Sequence, residues 1–169
     1  MSRKWGKVDY RELEALRDRL EQFQKVDMDK FCTKMSKELA ARLLRRVRKR
    51  TPVGQYDTIT YTKKDGSTLS FNEGMQGGTL RNNWKTSRIV YRGGEYRITV
   101  YNPQKYASYV EYGHRQEPGR FVPQIGKRLK SGWVEGQFML KISEEEVQAL
   151  APKLLEKKLE EELRRIFDA

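Results

Sequence analysis

Apolar residues recur with helical spacing in two segments near the start of the chain. The first segment, residues 9–25, begins at Asp9, which is a suitable N-cap. Its apolar positions are Leu13, Leu16, Leu20 and Phe23. The second segment, residues 29–50, ends before Pro52, and its apolar positions have i, i+4 spacing: Phe31, Met35, Leu39, Leu43 and Val47. We therefore predict two N-terminal amphipathic helices.

Polar and apolar residues alternate through the middle of the chain, which is typical of strands. TITYTKKDGSTLSF turns at Asp65-Gly66 and WKTSRIVYRGGEYRITVYN turns at Gly93-Gly94, so we predict two hairpins with a flexible loop between them. The outgoing strand of the second hairpin has three side chains on one face: Tyr96, Ile98 and Val100. We expect this face to pack on the helices and the opposite face to meet solvent or a partner.

Capping signals delimit a short helix in the second half of the chain. Asn102 suits its N-cap, Pro103 its first turn and Gly113 its C-terminal end, which predicts a helix over residues 103–112. A long loop is predicted next, over about residues 113–131.

The C-terminal segment, about residues 138–168, has helical periodicity. Ser143 and Glu146 have the spacing of a capping box, but the helix could instead begin near Phe138 with Ser143 inside it. Pro152 is expected to kink or split the segment. An apolar stripe follows on a highly charged helix: Leu155, Leu159, Leu163 and Ile166. This stripe predicts either a core face or a surface that docks on a neighbouring subunit.

These elements together predict an α+β fold. An antiparallel β-sheet of two hairpins packs with long N- and C-terminal helices and with the short helix. The length of 169 residues fits a single domain over residues 1–169, with an inserted mobile hairpin at about residues 55–78. Three Trp, nine Tyr and six Phe supply enough buried area to make disorder over most of the chain an unfavourable interpretation.

The net charge of the chain is +12 and is unevenly distributed. Residues from Ile142 onward carry −3, so the preceding body carries +15. A basic body can face nucleic acid, an acidic protein partner or solvent. The start of the chain has no apolar stretch typical of a secretory signal, and no apolar run is long enough to predict a transmembrane helix.

His114 is the only histidine, and Glu111 three residues earlier could orient it as a general base. A second histidine, a nucleophile motif and paired carboxylates are all missing from the sequence, so we expect no catalytic residues. We likewise expect no cofactor-binding and no metal-binding residues. Cys32, the only cysteine, excludes an internal disulfide framework and lies beside Phe31, where packing is the favoured role.

A basic run at the end of the second helix offers candidate contacts for DNA phosphates: Arg45, Arg46, Arg48, Lys49 and Arg50. The alternative is a solvated helix end, because the helix dipole favours cations at this position. Sequence signatures of base recognition are missing. Tyrosines on the predicted strands could stack on bases, but on alternating strands they more often fill a core or an interface.

Five stretches carry a resemblance to a known family through their order and spacing. They are RTPVG, GGTLRNNW, the Gly-Gly hairpin ending in YRITVYN, YASYVEYGHR and GWVEGQFML. Together, from about Tyr10 to Phe167, they resemble the tail-component family named after gene product ten of coliphage HK-ninety-seven. One departure is that residues 55–76 intervene between the first two stretches, so the role of this inserted hairpin cannot be taken from the family.

The resemblance implies a structural virion protein of the neck, either a head–tail connector or a tail-completion protein. Such proteins assemble as rings, usually six- or twelve-fold, without catalysis, in a virion or phage-tail-like particle made in the bacterial host cytoplasm. Expected partners are copies of the chain, other connector and tail proteins, and passing DNA, but no membrane. We expect the chain to be monomeric when purified alone, because tail rings often need a preformed platform.

Within this interpretation the candidate assembly contacts are Tyr109, Glu111, Tyr112, His114, Arg115, Leu159, Leu163 and Ile166. Two other hypotheses remain open from the residues alone. One is a nucleic-acid-binding module that uses the basic surface, and the other is an enzyme centred on His114.

Overall fold

A computed structural model describes residues 28–167, apart from the side chains of Ile166 and Phe167, and in addition Glu14, Arg17, Asp18 and Glu21. These last four residues are helical. The apolar positions of the predicted first helix lie outside the described residues, as does the side chain of Ile166 at the end of the apolar stripe.

Two long antiparallel helices frame the described part of the chain. Helix α1 spans Met28–Arg50 and helix α4 spans Met139–Phe167. Arg46 pairs with Glu146 at one end of their contact, and Lys34 pairs with Glu162 at the other, which defines the antiparallel direction. The prediction of α1 is confirmed, because its buried residues Met35 and Val47 both belong to the predicted apolar face.

Short strands and one short helix lie between α1 and the second half of the chain. In chain order they are β1 (Ile59–Thr62), β2 (Thr68–Phe71), helix α2 (Thr79–Asn82), β3 (Lys85–Thr86), β4 (Val90–Arg92), β5 (Glu95–Arg97) and β6 (Val100–Tyr101). Strand β1 pairs with β2, β3 with β6 and β4 with β5, all antiparallel. Both predicted hairpins are therefore confirmed, and α2 occupies the end of the segment predicted as a flexible loop.

The second hairpin contains a β-bulge that its sequence did not indicate. Thr86 pairs with Val100, but Val90 pairs with Arg97, so the incoming strand has one residue more than the outgoing strand. Ser87 stabilises the bulge, because its N–H donates to the Thr99 carbonyl at 2.8 Å and its Oγ accepts from the Thr99 N–H at 2.9 Å. The predicted alternation is confirmed, since the side chains of Tyr96, Ile98 and Val100 are half-buried and those between them are exposed.

The second half of the chain contains more strand than predicted. Its elements are helix α3 (Ala107–Tyr112), β7 (Gly113–Arg115), β8 (Phe121–Val122), a 3-10 helix (Pro123–Ile125), β9 (Lys127–Arg128) and β10 (Trp133–Glu135). Strand β7 pairs with β10, and β8 pairs with β9. His114 thus lies in a paired strand and not at the start of an irregular loop.

Helix α3 begins at Ala107, four residues later than predicted. The predicted N-cap, Asn102, instead forms a turn in which its Oδ1 accepts from the N–H of Gln104 at 3.1 Å. Its Nδ2 donates to the carbonyl of Leu80 at 2.7 Å. Asn102 therefore joins α2 to the segment before α3. The predicted C-terminal end is confirmed, because Gly113 ends the helix with φ of 84°.

Helix α4 begins at Met139, which confirms the alternative in which Ser143 lies inside the helix. Ser143 cannot act as an N-cap, because it is buried and its Oγ donates to the Met139 carbonyl at 2.6 Å. The sequence predicts a kink or a split at Pro152, and the split is wrong because Pro152 lies inside one continuous helix. None of the helices in the described part of the chain is long and apolar enough to cross a membrane.

The apolar core joins all of these helices to the second hairpin. It consists of Val47, Leu80, Trp84 and Met139, with five half-buried residues packed against it: Leu44, Val100, Ala107, Val110 and Leu140. Helices and antiparallel strand pairs contribute to one core, which confirms the α+β fold class.

Candidate assembly surface

The first two stretches of the family resemblance, RTPVG and GGTLRNNW, meet at the fully buried Thr51. The guanidinium of Arg81 donates to the Thr51 carbonyl from Nε at 2.9 Å and from Nη2 at 2.6 Å. Trp84 Nε1 donates to Thr51 Oγ1 at 2.8 Å, and this hydroxyl donates to the Val47 carbonyl at 2.6 Å. These bonds satisfy carbonyls at the end of α1 and attach the core residue Trp84 to it.

The basic run at the end of α1 is largely engaged within the chain. Glu146 accepts from Arg46 Nη1 at 2.5 Å and from Arg50 Nη2 at 2.6 Å. The hydrogen bond from Arg46 is the main reason that the pKa of Glu146 lies below its ordinary value. Arg48 Nη2 donates to the Trp84 carbonyl at 2.8 Å. Of the five predicted phosphate contacts, Arg45 and Lys49 are exposed, and the described residues give them no ion pair.

Glu111 forms a second structural contact, the junction between α3 and α4, and only 5% of its surface is exposed. Its two carboxylate oxygens accept from the backbone N–H of Leu140 at 2.9 and 3.2 Å, and Oε1 accepts from the N–H of Lys141 at 3.0 Å. A carboxylate is favoured here, because the first N–H groups of a helix lack internal partners and carry the positive end of its dipole. Glu111 therefore caps α4 from α3.

The pairing of Glu111 with His114 that general-base chemistry would need is not formed. The carboxylate of Glu111 is bonded to the backbone of α4, while His114 Nδ1 is buried and has no hydrogen-bond partner among the described residues. The imidazole instead lies against the ring of Tyr109, with the centroids 5.8 Å apart. No group of His, Cys, Asp and Glu side chains within the described ranges could hold a metal ion.

Two glycines allow the backbones around this junction to approach closely. Gly113 has φ of 84°, and a Cβ added there would collide with the Val134 carbonyl and lie 2.9 Å from the Trp133 ring. A Cβ at Gly136 would collide with the Glu111 carbonyl. Phe138 follows with φ of 46°, and its N–H donates to that same carbonyl at 3.0 Å. The end of α3 and the start of α4 are therefore fixed to each other.

Four aromatic side chains on the segments that meet at this junction are exposed, and we use the name aromatic face for this set, whose rings make no contact with one another: Tyr109, Tyr112, Trp133 and Phe138. Tyr109 and Tyr112 are neighbours at i, i+3 on α3 and are 58% and 62% exposed. Arg115 lies beside the face, since it pairs with Trp133 in the β7–β10 ladder. The sequence indicated the two tyrosines and Arg115 but gave no sign that the segments of Trp133 and Phe138 would meet the end of α3.

The candidate contacts on α4 lie elsewhere. Leu159 and Leu163 are half-buried, and Glu162 between them pairs with Lys34 of α1 at 3.2 Å. This neighbourhood fits the interpretation of the stripe as a core face against α1. Ile166, the last of the candidates, has its side chain outside the described residues.

The inserted hairpin packs on the segment that follows α3. The ring of Tyr61 meets those of Phe71 and Phe121 edge-on, with centroids 5.9 and 6.0 Å apart. Asn72 Nδ2 donates to the carbonyls of Asp57 and Gln124 and so connects the base of the hairpin to the 3-10 helix. Sequence reasoning missed this contact, because it joins residues that are far apart along the chain.

A comparison with known protein families identifies the family of this chain. A family model described as "Bacteriophage HK97-gp10, putative tail-component" matches residues 14–113, more than half of the chain. The matched range contains both residues of the Thr51–Trp84 contact and ends at Gly113, within the junction between α3 and α4. Neither a curated protein nor a solved structure matches the chain. Because this match covers more than half of the chain, the chain belongs to the HK97 gp10-like family of bacteriophage tail components.

Proposed function

We propose that this tail component acts by assembly, as a neck protein that forms a six- or twelve-fold ring at the head–tail junction or at the upper end of the tail. In this role it is a head–tail connector or tail-completion protein, without catalysis, and it resides in a virion or phage-tail-like particle. The observation that carries the proposal is the aromatic face, which is exposed and yet held on a fixed backbone.

Exposed aromatic side chains on one rigid junction favour a protein interface. Tyr and Trp are enriched at interface centres. The face also needs little ordering on binding, because Glu111 and the two close-packed glycines already fix the backbone that presents it. We infer that Tyr109, Tyr112 and Arg115 contact neighbouring subunits of the particle.

Other candidate residues support this interface from inside the chain. Glu111 holds the α3–α4 junction, and the imidazole of His114 supports the ring of Tyr109. We infer that both affect assembly indirectly, through the position of the aromatic face. Leu159 and Leu163 are proposed to act in the same indirect way, through the packing of α4 on α1.

The alternative of a nucleic-acid-binding module has less support. Arg46, Arg48 and Arg50 donate to Glu146 or to the Trp84 carbonyl, so they are less available for phosphates. Arg45 and Lys49 remain as candidate contacts for DNA that passes through the ring. Two such contacts per subunit predict weak binding that disappears by physiological salt.

Purified particles test the proposal. Particles from a strain that produces them should contain this chain by mass spectrometry, and electron cryo-microscopy should locate it in a ring at the neck with Tyr109 and Tyr112 at subunit contacts. Absence of the chain from the particles, or a location at the tail tip, would contradict the proposal. DNA affinity that persists at moderate salt would favour the nucleic-acid alternative instead.

A further inference from the structure

An open groove lies between α1 and the bulged second hairpin, with a volume of about 600 Å³. Its apolar lining residues are Ala40, Ala41, Leu44, Ile89 and Ile98. Lys37 and Arg88 also line it, both are exposed, and neither forms an ion pair with any residue of the described part. The groove therefore combines an apolar lining with two cations that have no ion pair among the described residues.

The loop between β2 and α2 presents the opposite combination. Met75 is 58% exposed on this loop, and the exposed Glu73, which has no ion pair within the described ranges, lies two residues before it. Both sides of the loop are anchored. Asn72 donates to the Gln124 carbonyl, and Gly77 lies so close to Gly54 that a Cβ would collide with the Gly54 carbonyl. The loop thus presents an exposed apolar side chain and an exposed carboxylate to solvent.

The loop and the groove are complementary in chemistry. A methionine side chain is flexible and fits irregular apolar surfaces, which suits a lining of alanine and branched aliphatic residues. The carboxylate of Glu73 would meet the cations of Lys37 and Arg88 in the groove. Burial of Met75 would also remove one of the most exposed apolar side chains of the described surface from water.

The two features lie at different positions on one molecule. The loop contacts Gly54, just beyond the end of α1, while Ala40 lies about three helical turns before Thr51, or about 16 Å along the axis. A contact that joins one end of a subunit to a different surface of the next is heterologous, and repeated heterologous contacts form a ring when the rotation between subunits closes.

We propose that the loop carrying Glu73 and Met75 of one copy docks into the Lys37–Arg88 groove of a second copy, and that this contact joins adjacent subunits. The inference rests on the proposed ring and adds a second contact between its subunits, beside the contacts of the aromatic face.

Disulfide trapping in assembled particles tests this contact. In a Cys32→Ser background, Met75→Cys is combined with Ala40→Cys, because a disulfide forms only when the two Cα atoms lie within about 7 Å. Oxidised particles should then yield a reducible ladder of cross-linked copies. The control pair, Met75→Cys with Gln148→Cys on the exposed side of α4, should yield none. Particles that contain the Met75–Ala40 pair without a ladder would overturn the proposal.

A second experiment exchanges the charges on the two sides of the contact. It tests the proposal even if the cysteine variants are not incorporated into particles. Glu73→Lys alone should lower the amount of chain in particles roughly tenfold or more, because like charges would face each other across the contact. The triple variant with Lys37→Glu and Arg88→Glu should recover incorporation. Failure of this recovery would overturn the proposed contact.

The two proposals fail differently. A neck ring observed without the Met75–Ala40 cross-link would contradict the proposed contact but not the proposed ring. Wild-type particles that lack the chain would contradict the proposed ring and therefore also the proposed contact.

Discussion

Glu111 accepts hydrogen bonds from the backbone N–H of Leu140 through both of its carboxylate oxygens, at 2.9 and 3.2 Å. A residue on α3 thereby caps a helix that begins 27 residues after α3 ends. The two backbone segments that meet beside this cap carry Tyr112 on one side and Trp133 and Phe138 on the other. Loss of the cap is therefore expected to affect both the stability of α4 and the position of the aromatic face.

Replacement of Glu111 by Ala should lower the free energy of unfolding by about 2 kcal/mol, because two N–H groups at the start of α4 lose their acceptor. Glu111→Gln should cost less, since the amide oxygen can still accept. Urea denaturation measures both. The matched control is Glu145→Ala, an exposed carboxylate on the same helix, which should change the free energy by less than about 0.5 kcal/mol. Equal effects of Glu111→Ala and Glu145→Ala would exclude the cap as a stabilising contact.

Gly113 and Gly119 form a matched pair, because their φ angles are 84° and 86°. A Cβ at Gly119 meets nothing within 4 Å, whereas one at Gly113 collides with the Val134 carbonyl. Gly119→Ala should therefore cost only the backbone strain, about 1–2 kcal/mol. Gly113→Ala should cost clearly more, because the β7–β10 pair must also separate. Thermal melts of the two variants that coincide would contradict the close approach at Gly113.

Thr51→Val should destabilise the protein by about 1–3 kcal/mol, because the buried Nε1–H of Trp84 loses its acceptor while the side-chain volume hardly changes. Thr68→Val is the control, since Thr68 is exposed on β2. Chemical denaturation followed by tryptophan fluorescence measures both variants. An unchanged midpoint for Thr51→Val would show that the Thr51–Trp84 bond contributes nothing to stability.

The ion pairs of Glu146 predict a dependence of stability on pH. Its pKa is lowered in the folded protein, chiefly by the hydrogen bond from Arg46, so the contribution is complete above the ordinary value of 4.5 and is lost as the pH falls through the folded value. Wild type should therefore melt at a higher temperature than Glu146→Gln at neutral pH. This difference should shrink below pH 4.5. A difference that grows as the pH falls would contradict the assigned sign.

Local patterns in the sequence were enough to predict the elements of the fold that depend on local interactions. Helix α1 follows from its apolar spacing, and the hairpins follow from Asp65-Gly66 and Gly93-Gly94. The first turn of α4 could not be predicted in the same way, because its cap comes from Glu111 and not from a neighbouring side chain. The bulge near Ser87 depends on the partner strand and left no signal of its own.

The candidate site was predictable to a similar extent. Tyr109 and Tyr112 stand at helical spacing next to a helix-ending glycine, which the sequence displays directly. The segments of Trp133 and Phe138 meet the end of α3 because Gly113 and Gly136 let the backbones approach closely. Arg46 and Arg50 pair with Glu146, about a hundred residues later, and nothing in the local sequence indicated this pairing.

Incorporation of an aromatic-face variant into particles tests assembly through this face most directly. Tyr109→Ala with Tyr112→Ala removes two exposed rings, and Tyr56→Ala with Tyr101→Ala removes two exposed rings elsewhere. Quantitative mass spectrometry of purified particles should find the first variant reduced at least roughly tenfold relative to wild type, as expected when interface aromatics are lost. The second variant should be present at the wild-type level, and circular dichroism should show that both are folded. Wild-type levels of the Tyr109/Tyr112 variant in intact particles would contradict assembly through the aromatic face.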